Sequence, residues 1–192
     1  MAANPELLKY LQTRRSVPLA FLEEPGPTRE ELDTLLEIGL RVPDHAKLNP
    51  WRLIIIEGEA RRAVGEKLAG IVRGRNPELS EEKLEVERNW FLPAPLTIGV
   101  ISSPVSHPKV VEIEQLLSAG AVALNLVHGA NALGYAAHWV TRWFAHDAEA
   151  AAMLGAREGE QFVAFVHVGT PQTRLEDKPK PDMDKLVSYW RG

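Results

Sequence analysis

The chain has 192 residues, of which 45% are hydrophobic and 25% are charged, a balance typical of one globular domain. Its formal net charge of −4 argues against a general nucleic-acid binder, because phosphate neutralisation requires clustered lysine and arginine. Cysteine is absent, which excludes disulfides, thiolate metal sites and cysteine nucleophiles. The first residues show no basic segment followed by an apolar stretch, so we expect no signal peptide, and no apolar run reaches the roughly 20 residues of a membrane span. We therefore expect a single domain over 1–192 with a cytoplasmic location.

Two helices and a strand are predicted in the first sixty residues. Apolar residues at helical spacing over 7–13 predict a short first helix. A Thr-x-x-Glu capping box at Thr28 marks the start of a second helix, which a proline ends at Pro43. The continuous, mostly β-branched apolar run within 51–56 predicts a buried strand.

The rest of the chain alternates between the two kinds of element. Helices are predicted at 60–72, 80–90, 114–133 and 148–154, and strands at 96–101, 135–140 and 162–168. The long helix 114–133 is rich in alanine and leucine, so we expect it deep in the core. The proline-containing tail from Thr170 is expected to be extended at least in part. Because strands and helices intermix without a regular βαβ rhythm, the pattern favours an α+β fold over a doubly wound sheet.

The motifs of common catalytic and metal chemistry are missing. The sequence contains no G-x-G-x-x-G, no phosphate-binding P-loop, no G-x-S-x-G and no H-E-x-x-H. Asp44–His45 and His146–Asp147 are adjacent pairs, and adjacent side chains point in different directions, so we interpret them as turn or cap residues. An enzyme that lacks such groups can take its chemistry from a bound cofactor.

One segment carries donors suited to a phosphate. Arg14, Arg15 and Ser16 follow the first helix, and two guanidiniums with a hydroxyl offer forked donors that lysine cannot match. The alternative is a helix C-terminus decorated with cations that interact favourably with the helix dipole. Both interpretations remain open on these residues alone.

Three further segments place polar or aromatic residues in loops or turns at the ends of predicted helices and strands. Residues 41–51 form a polar loop between a helix and a strand, a common place for binding residues, although a plain connection is the alternative. Residues 134–142 place small residues ahead of Trp139, which would let backbone approach a planar ligand, although core or interface packing is the alternative. Residues 168–172 are a turn after the last strand.

Taken in order, these segments resemble the nitroreductase family, in particular its small bacterial members. The matching motifs are R-R-S at 14–16, R-x-P-D-H at 41–45, x-P-W-x-L-I-I-I-E-G at 49–58, A-P-L at 94–96, S-A-G at 118–120, G-Y-x-x-x-W at 134–139 and V-G-T-P-Q at 168–172. Each motif alone is weak, but their order over nearly the whole chain is specific.

The resemblance implies an α+β fold with an antiparallel-dominated central sheet flanked by helices. It implies a homodimer with FMN at the subunit interface and a C-terminal tail that extends over the partner. The implied activity is reduction of nitroaromatics, quinones or similar small electrophiles by NAD(P)H in a ping-pong cycle. No catalytic side chain is expected, because orientation and nearby donors are what such a protein supplies.

The resemblance also assigns residues to the cofactor by position. The residues assigned to FMN are Arg14, Arg15, Ser16, Arg41, His45, Trp139, Val140 and Thr141. Residues 14–16 would hold the phosphate and ribityl chain, 41 and 45 would come from the partner subunit, and 139–141 would lie along the flavin. The stretch from Gly129 to Gly134 corresponds to one sometimes assigned to the nicotinamide nucleotide.

The sequence departs from the family pattern at two places. Asn49 stands where a glutamine usually precedes Pro-Trp, and Val140 stands where an arginine is frequent, with Arg142 two residues later. These changes bear on substrate choice more than on flavin binding. The alternatives that remain are another flavin reaction on the same scaffold, such as dehalogenation or oxidation, a flavin-binding protein without turnover, and an interaction module without flavin.

Overall fold

The computed structural model describes residues 2–173, 175–176 and 178–192, which divide into two compact units. The smaller unit consists of Met1–Arg15 and Thr173–Gly192, and the larger unit of Ser16–Gln172. The helices of the smaller unit are α1 (Pro5–Thr13) and α8 (Met183–Leu186). The larger unit contains helices α2 (Arg29–Gly39), α3 (Glu59–Arg75), α4 (Glu81–Arg88), α5 (Glu112–Ala132), α6 (Trp143–His146) and α7 (Ala148–Met153), and strands β1 (Leu22–Glu23), β2 (Trp51–Glu57), β3 (Leu96–Ser102), β4 (Ala136–Val140) and β5 (Gln161–Pro171).

The smaller unit begins with the helix that the sequence predicts. Asn4 caps α1 by accepting a hydrogen bond from the Leu7 amide at 3.1 Å, and a proline occupies the first helical position, where its missing N–H costs nothing. The tail is extended only in part, since it contains the short helix α8, which the sequence analysis did not predict. Its last aromatic residues are open to solvent, with Tyr189 80% and Trp190 92% exposed.

The larger unit is built on a five-stranded sheet in which every pairing is antiparallel. Strand β5 pairs with β3 along one side and with both β4 and β1 along the other, while β2 lies beyond β3. The predicted α+β fold with an antiparallel sheet is confirmed. The pairing of β1 with the end of β5 was not predicted, because a two-residue strand leaves no periodic pattern.

Both faces of the sheet are covered. One face of β3 and β5 packs against α2 and α5, with Ile98, Val166 and Leu126 fully buried. The opposite face packs against α3, α6 and α7 around an aromatic group that includes Phe91, Phe144 and Phe165. Strands buried on both sides are apolar at most positions, and this accounts for the long apolar runs in the sequence.

Helix α5 is buried on only one side. Val122, Leu126 and Ala130 lie in the core, whereas Ile113 and Leu117 on the other side are 56% and 66% exposed. The expectation that the whole helix lies deep in the core was therefore only half right. No helix among the described residues is long and apolar enough to cross a bilayer.

Candidate functional site

The loop between α2 and β2 is held at its start by α5. The Asn125 side-chain amide donates hydrogen bonds to the carbonyls of Ile38 at 3.2 Å and Arg41 at 2.8 Å. Further along, the Ser118 hydroxyl donates to the Pro43 carbonyl at 2.6 Å. Because these donors come from the buried or half-buried side of α5, the loop is fixed to a rigid element.

The middle of this loop adopts a backbone conformation that is rare outside glycine. Ala46, Lys47 and Asn49 have φ of 63°, 55° and 48°, in the left-handed region that costs free energy for residues with a Cβ. The Asp44 carboxylate accepts a hydrogen bond from the Asn49 amide at 2.8 Å and so closes the turn. Such conformations persist only where the surroundings impose them, and they are frequent at binding sites.

The loop presents two cations, Arg41 and Lys47, and the imidazole of His45 to solvent. His45 Nδ1 lies 2.7 Å from Glu114 Oε2 on α5, so the carboxylate sets the orientation of the ring. Beside this pair lies a cavity of about 400 Å³ that Leu117 and Ser118 also line. The Arg41 guanidinium is exposed and makes no hydrogen bond or ion pair with any described residue.

Strand β4 brings a second group of predicted residues together. The Val17 amide donates to the Ala137 carbonyl at 3.3 Å, and the Val17 carbonyl accepts from His138 Nδ1 at 2.7 Å. The carbonyl cannot donate, so Nδ1 of His138 carries the proton. Ser16 therefore lies beside the outer edge of β4.

The end of β4 is open enough to contact a ligand. Trp139 is 37% exposed although it is a large apolar residue, while Val140 is half-buried and Thr141 is exposed. The side chains of Trp139 and Thr141 make no hydrogen bond with any described residue. The exposed indole and the free edge of the strand provide a flat surface with unused donors.

Two of the three predicted arginines, Arg14 and Arg15, lie in the smaller unit. Arg14 is the C-cap residue of α1, where its amide donates to the Tyr10 carbonyl at 2.8 Å. Arg15 donates through Nη1 to the backbone carbonyl of Glu176 in the tail. Its Nε is buried and has no hydrogen-bond partner within the described part of the chain. A buried guanidinium N–H without an acceptor fits a site built for an anion that supplies one.

A cluster that the sequence analysis did not predict joins two residues that follow β4, Arg142 and Trp143, to Glu87 and Trp90. The indole N–H groups of Trp90 and Trp143 both donate to Oε2 of Glu87, at 3.1 Å and 2.8 Å. The guanidinium carbon of Arg142 lies 3.3 Å from the centroid of the Trp90 ring, a stacked cation–π arrangement. Trp90 also borders a cavity of about 530 Å³ with apolar walls that include Val86.

A second unpredicted pair lies inside the sheet. His167 on β5 is buried, and its Nδ1 lies 2.8 Å from the Thr97 hydroxyl on β3. Burial, together with smaller electrostatic contributions from His138 and Arg142, lowers the pKa of His167 to about 3. The ring is thus neutral at physiological pH and acts as a polar core residue.

The glycines after α5 have structural roles. Gly134, at φ 91°, is the left-handed residue of a Schellman cap, in which the Gly134 amide donates to Asn131 and the Tyr135 amide to Ala130. A Cβ on Gly129 would lie 2.8 Å from Leu35 Cδ1, so this glycine lets α5 approach α2. The backbone conformation of the cap accounts for Gly134, and close helix packing accounts for Gly129.

The acidic members of the adjacent Asp–His pairs are cap residues, as predicted. Asp147 caps α7 by accepting from the Ala150 amide at 3.0 Å, and ion pairing with Arg75 holds its pKa at about 2. Asp44 stands at the N-cap of the 3₁₀ turn His45–Lys47. Across the described residues, no group of His, Asp and Glu side chains has the arrangement of a metal site.

The comparison with known proteins decides the family. A model of the nitroreductase family matches residues 11–170. The chain belongs to the nitroreductase family. A curated relative from Escherichia coli (strain K12), "Putative NAD(P)H nitroreductase YdjA", is 32% identical over 188 residues, which cover 96% of this chain and 100% of that protein.

Solved structures of nitroreductases share the fold. A nitroreductase-like family protein from Bacillus cereus has a TM-score of 0.80 at 19% identity and covers 100% of both chains. A nitroreductase with bound FMN from Desulfitobacterium hafniense DCB-2 has a TM-score of 0.68 at 22% identity and covers 98% of this chain and 100% of that one. At these identities the likeness establishes the architecture.

Within this nitroreductase chain, the predicted residues fall into three places. Residues 139–141 lie at the end of β4, and Ser16 precedes Val17, which is hydrogen-bonded to Ala137 and His138 of that strand. Residues 41 and 45 share the loop after α2, and residues 14 and 15 lie in the smaller unit. The sequence analysis missed Glu114, which contacts His45, and Glu87, which accepts a hydrogen bond from Trp143. No spacing could have revealed them, since Glu114 meets His45 across 69 positions and Glu87 meets Trp143 across 56.

Proposed function

We propose that this chain is an FMN-dependent oxidoreductase that uses NAD(P)H to reduce nitroaromatics, quinones or similar small electrophiles. NAD(P)H and the acceptor would occupy the same site in turn, in a ping-pong cycle. The single observation that supports this best is the open end of β4, where Trp139 is 37% exposed on the strand to which Val17, the residue after Ser16, is hydrogen-bonded. The family, the relative named as an NAD(P)H nitroreductase and the FMN-bound neighbour agree with it.

The donor set fits FMN. Arg14, Arg15 and Ser16 are consecutive, and their guanidiniums and hydroxyl suit a phosphate ester; the unpartnered Nε of Arg15 lacks the acceptor that a phosphate oxygen would supply. Along β4, residues 139–141 would lie against the flavin ring, through indole packing and backbone groups. Arg41 and His45 would approach a flavin of the partner subunit.

When bound, FMN would supply the redox chemistry by accepting a hydride from NAD(P)H and passing it to the electrophile. The residues of this chain would bind and orient both partners. Unspent N–H donors at the end of β4 would stabilise negative charge where it develops, because oriented donors in a partly desolvated site need no reorganisation during the reaction. This arrangement requires no side-chain general base.

The exposed apolar residues support a homodimer. Ile113, Leu117 and Leu124 lie along one face of α5 and are each more than 40% exposed, which is unusual for a monomer surface. In the tail, Tyr189 and Trp190 are almost fully exposed and would extend over the partner. Association through the α5 face would bring the cavity beside His45 to the interface.

The proposal is tested by the absorbance of the purified protein between 350 and 500 nm. A flavin spectrum with NAD(P)H oxidation that depends on nitrofurazone or menadione would support it. A colourless protein that does not take up added FMN would refute it. A yellow protein that no nicotinamide reduces would instead establish flavin binding without turnover. Light scattering after gel filtration tests the dimer, and a monomer would contradict the interface site.

Arg15→Ala tests the phosphate assignment. Loss of a charge-assisted hydrogen bond is expected to raise the Kd for FMN by about 10- to 100-fold, which flavin fluorescence titration measures. Arg29→Ala is the control, since Arg29 is exposed and, among the described residues, forms an ion pair only with Asp33 at 3.2 Å. Unchanged flavin affinity in Arg15→Ala would remove this residue from the site.

A further inference from the structure

The arginine that follows β4 is held in place without using its hydrogen-bond donors. The Arg142 guanidinium stacks on Trp90, with 3.3 Å between its carbon and the ring centroid. Its N–H groups make no hydrogen bond or ion pair with any described residue. A guanidinium stacked by its face keeps its donors free around its edge, where a planar oxyanion can bind them in pairs.

Other arginines of the larger unit contrast with this one. Arg52 binds Glu160 through Nε and Nη2, at 2.7 and 2.6 Å, and Arg75 binds Asp147 and a second carboxylate. Those guanidiniums are neutralised and serve the fold. Arg142 is exposed and therefore open to a ligand.

The Trp90 ring on which Arg142 stacks is held in place by its own hydrogen bond and packing. Trp90 donates to Glu87 Oε2, and the same oxygen accepts from Trp143 at 2.8 Å. Both indoles pack at the edge of the aromatic core. Because the ring cannot easily turn, the guanidinium on it is preorganised, and preorganisation reduces the entropy lost on binding. Oε2 of Glu87 accepts both indole N–H bonds. These donors offset part of the repulsion between the Glu87 carboxylate and an anion bound at Arg142.

The position of Arg142 connects it with the proposed reaction. It directly follows Thr141, the last of the residues proposed to lie along the flavin. The neighbouring cavity bordered by Trp90 is also lined by Glu82 and Glu85, whose charges disfavour an anion there. An anionic group is therefore expected at the guanidinium and not among those carboxylates.

We propose that Arg142, stacked on Trp90, is a specificity-determining residue that binds the carboxylate of an aromatic acceptor. This inference rests on the proposed function and names the substrate class for that site. The preferred acceptors are electrophilic aromatic acids, and their neutral esters are poorer substrates. No bond forms or breaks at Arg142, which orients the acceptor through a paired charge-assisted hydrogen bond.

The kinetic test compares 4-nitrobenzoate with methyl 4-nitrobenzoate as acceptors at fixed NADPH. Arg142→Gln is expected to lower kcat/KM for the acid by about 10- to 100-fold, with about twofold change for the ester. Arg142→Lys keeps the charge but not the planar pair of donors, so its kcat/KM for the acid should lie between those of the wild type and Arg142→Gln. Arg157→Gln is the control, because Arg157 is exposed and its side chain makes no bond within the described chain.

Binding supplies a readout that does not need turnover. Titration of the FMN-loaded protein with benzoate and with benzamide, followed by calorimetry, should show a preference for benzoate that Arg142→Gln removes. Equal losses for acid and ester, unchanged values for both, or a loss confined to kcat/KM for NADPH would overturn the assignment. If the wild type oxidises NADPH neither with these acceptors nor with nitrofurazone or menadione, the proposed function fails, while the benzoate titration still tests the anion site.

Discussion

Replacing the buried His167 by glutamine is expected to flatten the pH dependence of stability between pH 7 and pH 5. The ring lies within the sheet against Thr97, and burial lowers its pKa to about 3 from the model-compound value of 6.5. Glutamine keeps a polar side chain beside the Thr97 hydroxyl but does not titrate. The variant therefore isolates the cost of protonating this one residue.

The sign follows from which state takes up the proton. Below pH 6.5 the unfolded chain protonates this imidazole, whereas the folded protein keeps it neutral until about pH 3. Acid therefore favours the unfolded state, and stability falls as the pH falls. At about 1.36 kcal/mol per pH unit, the wild type loses about 2 kcal/mol through His167 between pH 7 and pH 5, and the loss levels off near the folded pKa.

Urea unfolding at pH 7, 6 and 5 measures the effect. The fall in unfolding free energy should be about 2 kcal/mol smaller in His167→Gln than in the wild type, whatever the change at pH 7 itself. His146→Gln, at an exposed position, controls for loss of a histidine. Glu160 and Asp147 have pKa values of about 2 and so lose their contributions at lower pH. Identical pH dependence in wild type and His167→Gln, or an NMR titration of His167 near pH 6.5, would refute the reasoning.

Two further predictions concern local packing and capping. Gly65→Ala should destabilise the protein by about 1–3 kcal/mol, because its Cβ would lie 2.1 Å from the Arg88 carbonyl oxygen; Gly70→Ala on the same helix meets nothing within 4 Å and should be neutral or stabilising in the same thermal unfolding assay. Thr28→Ala should cost about 1 kcal/mol, since Thr28 caps α2 with its side chain. Ser80→Ala is the control, because Ser80 stands at the N-cap of α4 without a side-chain bond, and equal losses in both would contradict the capping argument.

Elements with a local signal could be predicted from the sequence. The capping box at Thr28, with its reciprocal bonds to Glu31 at 3.3 and 2.8 Å, marked α2 because both partners are three residues apart. The strands β3 and β5 were evident as apolar runs because they are buried on both faces. Short elements such as β1, α6 and α8 escaped, since their residues follow no period and their conformation depends on distant contacts.

The candidate site divides in the same way. Ser16, Arg41, His45 and residues 139–141 could be named from ordered motifs, although motifs do not give contacts. The partners of these residues lie far away in sequence, as Glu114 does from His45. The Arg142–Trp90 stack joins residues 52 positions apart, and only the folded chain brings them together. The order of motifs therefore yields candidate ligand-binding residues, whereas their supporting contacts are visible only in the tertiary structure.

The position of β5 at the centre of the sheet has a consequence for synthesis of the protein. This strand is the last of the five in sequence, yet β1, β3 and β4 all pair with it. A nascent chain on the ribosome must therefore wait for residues 161–171 to emerge before the sheet can close, and the mostly apolar β3 stays unshielded until then. Such long-range pairing slows folding and favours aggregation of incomplete chains, so products truncated before β5 are expected to be insoluble.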